Sequence, residues 1–152
     1  MKSVVSKLKS SLTNTTDIAA KAIESVSKES NAMLDSDAIQ KLKEQTKNAV
    51  KTSIAVCKNL GDVNGDGKID REDVKFALEK AGYVWDKVDF DLKEALLIGG
   101  VAAFGVNAVP LFGQALAIPT FAGATAVFFV RAKISAISVK KTIREEKNKD
   151  SD

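Results

Sequence analysis

Twelve consecutive residues concentrate the oxygen chemistry of this chain: Asp62-Val63-Asn64-Gly65-Asp66-Gly67-Lys68-Ile69-Asp70-Arg71-Glu72-Asp73. Oxygen-bearing side chains recur at positions 1, 3, 5, 9 and 12 of this stretch, from Asp62, Asn64, Asp66, Asp70 and Asp73. A hard cation such as Ca²⁺ takes six to eight oxygen ligands at roughly 2.3–2.6 Å, and alternating oxygen residues wrap a short loop around such an ion. Gly67, at position 6, takes a sharp turn that a Cβ would obstruct. Ile69, at position 8, is the apolar residue that anchors the stretch to a core. The plain alternative is an Asp/Gly-rich surface turn that binds nothing.

The pattern resembles an EF-hand calcium loop, and Gly61 to Asp70 is similar to the dockerin variety in particular. The resemblance covers about residues 50–82. It implies Asp62, Asn64, Asp66, Asp70 and Asp73 as side-chain ligands of Ca²⁺ and Lys68 as a backbone-carbonyl ligand, with Mg²⁺ the second candidate ion. Two departures stand out. Position 12 is Asp73 where most EF-hands carry a longer, bidentate Glu, although dockerin-like loops use Asp. EF-hands usually pair and dockerins carry two loops, yet the chain holds a single copy. Ile69 would normally pair its backbone with the matching residue of a neighbouring hand, so one hand per chain favours a homo-oligomer. A dockerin-like adaptor for a protein partner is a further expectation.

The elements that position the loop read as all-α. From Val5 the seam Val5, Leu8, Leu12, Thr15, Ala19, Ala22 and Val26 steps by three and four, as a helix does, and past Glu29 it reaches Met33. Asn14 to Thr16 is a candidate interruption. The seam is thin in large side chains, which predicts a weakly packed or surface-lying arm over residues 1–34. Residues 31–36 read as a break with Ser36 as N-cap. A helix over 37–60 then carries Ile39, Leu42, Thr46, Ala49, Ser53, Val56 and Leu60 on one stripe and delivers the chain into loop position 1. The exiting helix runs from Arg71 to Ala81, with Gly82 as its stop. Residues 35–82 are thus expected to form one EF-hand-like helix–loop–helix, followed by a polar connector over 83–94.

After Glu94 the chain changes character: residues 95–130 hold no charge at all. Pro110, Gly113 and Gln114 mark a turn between two apolar halves, and Pro119 is placed near the start of the second helix. A membrane span takes about 20 apolar residues, which neither half reaches comfortably. Together they suit a tight hairpin that enters a bilayer and returns, with Gly99, Gly100, Ala103, Gly105, Ala122, Gly123 and Ala126 permitting close helix approach. Lys87 and Lys93 before, and Arg131, Lys133, Lys140, Lys141 and Arg144 after, put both flanks on one side. The alternatives are a hairpin buried between copies of the chain and a monomeric core. Residues 131–152 read as a basic amphipathic tail that frays beyond Arg144.

Charge is segregated along the 152 residues. Residues 1–60 carry +4, residues 61–94 carry −4 and residues 131–152 carry +3. An acidic middle between basic arms suits a cation site flanked by surfaces that meet anionic lipid. Aromatics are 6% and Lys is interspersed with acids, which argues against nucleic acid. There is no His, the single Cys57 sits in a helix seam, and no phosphate-binding glycine loop or nucleophile elbow occurs, so an enzyme is not expected. The N-terminus lacks the apolar core of a classical signal peptide, which predicts a protein that is membrane-associated, or cytoplasmic before release by another route. The resulting expectation is a calcium-binding helical protein with a membrane-inserting or membrane-associating hairpin, pore-forming or membrane-remodelling and Ca²⁺-regulated. The alternative is a soluble homo-oligomer in which Ca²⁺ staples the helices.

Overall fold

The computed structural model describes residues 14–31, 33–107 and 113–149, and these are all-α, without a strand. Five α-helices follow in order: α1 Thr15–Ser30, α2 Ser36–Cys57, α3 Arg71–Lys80, α4 Phe90–Asn107 and α5 Gly113–Lys149, with a 3₁₀ turn at Trp85–Lys87. The expected seam over Val5–Leu12 and the turn at Pro110 lie outside the described residues.

Local polar chemistry sets most of the helix ends. Asn14 starts α1, its Oδ1 accepting from the Thr16 and Asp17 N–H groups at 3.0 and 3.5 Å. Asn31, in the left-handed region at φ +48°, ends it. The cap of α2 is Asp35, one residue earlier than expected; its Oδ1 accepts from Ala38 N–H at 2.7 Å, and Ser36 is the first helical residue. Helix α3 closes with paired bonds from Gly82 N–H to the Glu79 carbonyl and from Tyr83 N–H to the Leu78 carbonyl. That arrangement needs a left-handed residue after the cap, and Gly82 supplies it at φ +90°.

Helix α1 is not the loose arm expected. Ala19, Ala22, Ile23 and Val26 are buried, and the last three share a cluster with Leu42 and Val50 of α2 and Ala122, Ala126, Val130 and Ile134 of α5. Small side chains, read as weakness, let the backbones approach. The hairpin is antiparallel: Lys133 meets Asp91 in an ion pair, Ala95 packs with Phe129, and Gly99 abuts Thr125. A Cβ on Gly99 would overlap Thr125 Oγ1 and lie 2.9 Å from the Phe121 carbonyl oxygen, so only glycine permits this crossing.

Two expectations for the second hairpin helix are corrected. It does not fray after Arg144, but continues as one helix of 37 residues to Lys149. The reason is that Ile134 is still buried in the core, and the charged residues beyond it are good helix formers. Pro119 lies inside this helix rather than at its start, where its missing N–H removes one backbone bond. The hairpin is also only partly sheathed. Val101, Phe104, Leu116 and Phe128 remain exposed, and a third of the most apolar window of α5 is buried. Among the described residues α5 is the one helix long and apolar enough to cross a membrane.

Candidate cation loop and its seat on the hairpin

All six sequence-predicted ligand residues fall in the segment that joins α2 to α3 and in the first turn of α3. Asn64, Asp66 and Lys68 are exposed, Asp62 and Asp70 are partly buried, and Asp73 is fully buried. The segment is built from carboxylates that hold backbone N–H groups. Asp62 Oδ1 accepts from Gly65 N–H at 2.7 Å and Asp66 N–H at 3.1 Å, while its Oδ2 accepts from Gly67 N–H at 2.7 Å. Asn64 Oδ1 accepts from Asp66 N–H at 3.2 Å, and Asp66 Oδ1 from Lys68 N–H at 2.8 Å. Gly65 and Gly67 both adopt positive φ, at +74° and +79°, so the reversal uses both glycines and not Gly67 alone.

Asp70 and Asp73 close the far end. Asp70 caps α3 by accepting from Glu72 N–H at 2.8 Å and from Asp73 N–H at 3.2 Å, and Asp73 answers by accepting from Asp70 N–H at 2.9 Å, a reciprocal capping box. The other oxygen of Asp73 accepts from Val63 N–H at 2.7 Å and so ties the second residue of the loop to its last. Asn64 Nδ2 donates to Asp70 Oδ2 at 3.3 Å across the middle.

The donor set is all oxygen and suits a hard cation, and an ionised carboxylate has about four lone-pair sites, more than these bonds occupy. The carboxylates are nevertheless not gathered around a common point. Among the described residues no three His, Cys, Asp or Glu side chains stand close enough together to hold an ion. Each acid is aimed at its own backbone donors, so ligation would require the side chains to swing inward while the backbone course is kept.

Position 8 supplies a contact that spacing alone does not reveal. Ile69 is 7% exposed and packs in one cluster with Val56 of α2, Val74 and Leu78 of α3, Leu96 and Ala103 of α4 and Phe121 of α5. A Cβ on Gly100 would lie 3.1 Å from Ile69 Cγ2 and 3.5 Å from Phe121 Cε2, so the absent side chain of Gly100 is the notch that Ile69 occupies. An ion pair between Arg71 and Glu94 ties the start of α3 to α4 beside this contact. The Gly99-Gly100 pair was the available signal, but it reads equally as helix–helix packing.

Cys57, at the end of α2, completes the surroundings. Burial pushes its thiol up to about 11, so it is protonated and unreactive near neutral pH. No family model, no curated protein and no solved structure matches this chain.

Proposed function

We propose that the chain is a Ca²⁺-binding helical protein whose loop, residues 62–73, governs a membrane-associating apolar hairpin. The observation that carries this reading is the seat of Ile69 against Gly100, which joins the loop directly to both hairpin helices. Asp62, Asn64, Asp66, Asp70 and Asp73 act as side-chain ligands and Lys68 through its carbonyl, with Mg²⁺ as the competing ion. Drawing these oxygens inward shortens the loop around Ile69 and shifts the α2–α3 angle. The hairpin, whose Val101, Phe104, Leu116 and Phe128 are already exposed, then presents a different apolar surface to lipid. The sharper outcome on a membrane is pore formation or remodelling.

A second reading is favoured by one further observation: residues 135–149 of α5 are exposed throughout. Ile137, Val139 and Ile143 lie on that arm, which suits packing against another copy in a soluble homo-oligomer stapled by the cation.

The deciding experiment is liposome co-sedimentation with and without Ca²⁺, on the wild type and on Asp62→Ala/Asp66→Ala, alongside calorimetric Ca²⁺ titration. Calcium-dependent pelleting that the double variant loses supports the switch. A protein that binds Ca²⁺ but never pellets, and sediments as a discrete multimer, establishes the second reading. Absence of Ca²⁺ uptake by the wild type removes both.

A further inference from the structure

Away from the loop, a groove of about 480 Å³ runs between α2 and α5. Its volume falls within the range of roughly 300–1,000 Å³ typical of small-molecule sites. Leu42 lies at its base, and Ala136 and Ile137 form its apolar wall on α5. Lys41 on α2 and Lys140 on α5 flank it, both exposed, and neither takes part in an ion pair among the described residues. Lys133 differs: its ammonium is 2.8 Å from Asp91 and 3.1 Å from Asp89, which occupies it and neutralises the end of the groove nearest α4.

The groove therefore has an apolar base, one neutralised end and two unpaired cations on opposite walls. That polarity matches a molecule with a hydrocarbon tail and a single anionic head. At about 3.6 residues per turn, Lys133, Ile137 and Lys140 lie on a different face of α5 from Phe128 and Arg131. The groove is thus distinct from the exposed residues assigned to lipid, and it shares only Ile137 with the arm offered to a second copy. We infer that it binds a free single-chain amphiphile bearing a phosphate or carboxylate head, held by charge-assisted contacts from Lys41 and Lys140 with its tail over Leu42, Ala136 and Ile137. This site uses none of the loop residues and stands or falls independently of Ca²⁺ binding.

The test is calorimetric titration of the full chain with dodecyl phosphate below its micelle-forming concentration. Inorganic phosphate and dodecyl maltoside serve as the head-only and uncharged-head probes. The expected result is one saturable site per chain for dodecyl phosphate, with neither other probe matching it. Lys41→Gln/Lys140→Gln, at exposed positions that leave the core intact, should weaken binding by about tenfold or more, as expected for losing charged hydrogen bonds. Ala136→Trp, which fills the apolar wall, should abolish it while circular dichroism shows the helices retained. Unchanged binding in the lysine variant would place the head elsewhere, and in the tryptophan variant the tail; either overturns the site. Equal binding of the maltoside, or of inorganic phosphate alone, would equally overturn it by making the head or the tail irrelevant.

Discussion

The cation loop and the α4–α5 hairpin meet at Ile69 and at the Arg71–Glu94 ion pair, but they are held in shape by opposite means. Between Asp62 and Asp73 nearly every conformational choice is made by a short polar side chain accepting from a backbone N–H two to five residues away. The hairpin has almost no polar instruction. Its register rests on which residues are small enough to let α4 and α5 touch, with Gly99 against Thr125 and Ala95 against Phe129. Polar loops of the first kind tolerate loss of one bond, because water can replace it at exposed positions. Close crossings of the second kind do not tolerate one added methyl, because packed backbones have nowhere to move.

The most damaging way to test that contrast is Gly99→Val. The new side chain meets Thr125 Oγ1 and the Phe121 carbonyl, a backbone atom that cannot swing aside. A loss of about 3 kcal/mol or more is expected, at the upper end of overpacking. Urea denaturation followed by helical circular dichroism measures it; a loss within experimental error would mean that the hairpin register is not set at Gly99. Next in size is Ile69→Ala, which empties the notch beside Gly100 where the two regions join. Truncating a buried isoleucine costs about 2–5 kcal/mol, and the lower half of that range is expected for a residue at the edge of a cluster. If the loop and hairpin are coupled, the same variant also weakens any Ca²⁺ dependence of vesicle pelleting, although it leaves all six candidate ligand residues in place.

Asp73→Ala addresses the polar side of the contrast. Two backbone donors, Val63 N–H and Asp70 N–H, lose their acceptor at a position with no solvent access. The expected loss is about 2 kcal/mol. Asp73→Asn keeps one strong acceptor and should recover part of it. Comparable losses in the two variants would show that a single neutral acceptor cannot replace the two-oxygen carboxylate there.

These two kinds of specification also explain what could be read from the chain. The loop course was legible because Asp-x-Asn-x-Asp-Gly encodes its conformation locally, as did the α3 stop at Gly82. The all-α class and the α2 stripe followed from periodicity. Placement of Asp35 over Ser36 as cap differed by one residue because both side chains can cap and only the packing angle of α2 chooses. The burial of α1 was misread because Ala19 and Ala22 carry little hydrophobic signal; their value lies in how closely α5 can approach, a property of the partner and not of the segment. That Ile69 reaches a core was legible from position 8, but its seat on Gly100 was not, since it joins residues 31 positions apart in sequence.

The smallest expected effect lies where a polar contact fastens the hairpin itself. Lys133 is 19% exposed, lies over the Phe129 ring at 5.2 Å and reaches both Asp89 and Asp91 at the start of α4. Burial by itself would lower its pKa, but the hydrogen bonds and charges of Asp91 and Asp89 together outweigh that and hold it above the ordinary lysine value of 10.5. The sign follows from linkage: the folded state binds this proton more tightly, so the contribution is complete below 10.5 and is lost as pH rises through the raised value. Lys133→Gln should therefore cost about 1 kcal/mol near neutral pH, in the range of a partly exposed ion pair with two acceptors. The gap between wild type and variant should shrink in strongly alkaline solution. A gap that is constant with pH would assign the loss to the aliphatic stem packed on Phe129, and the hairpin would then be fastened by apolar contact even at this charged clasp.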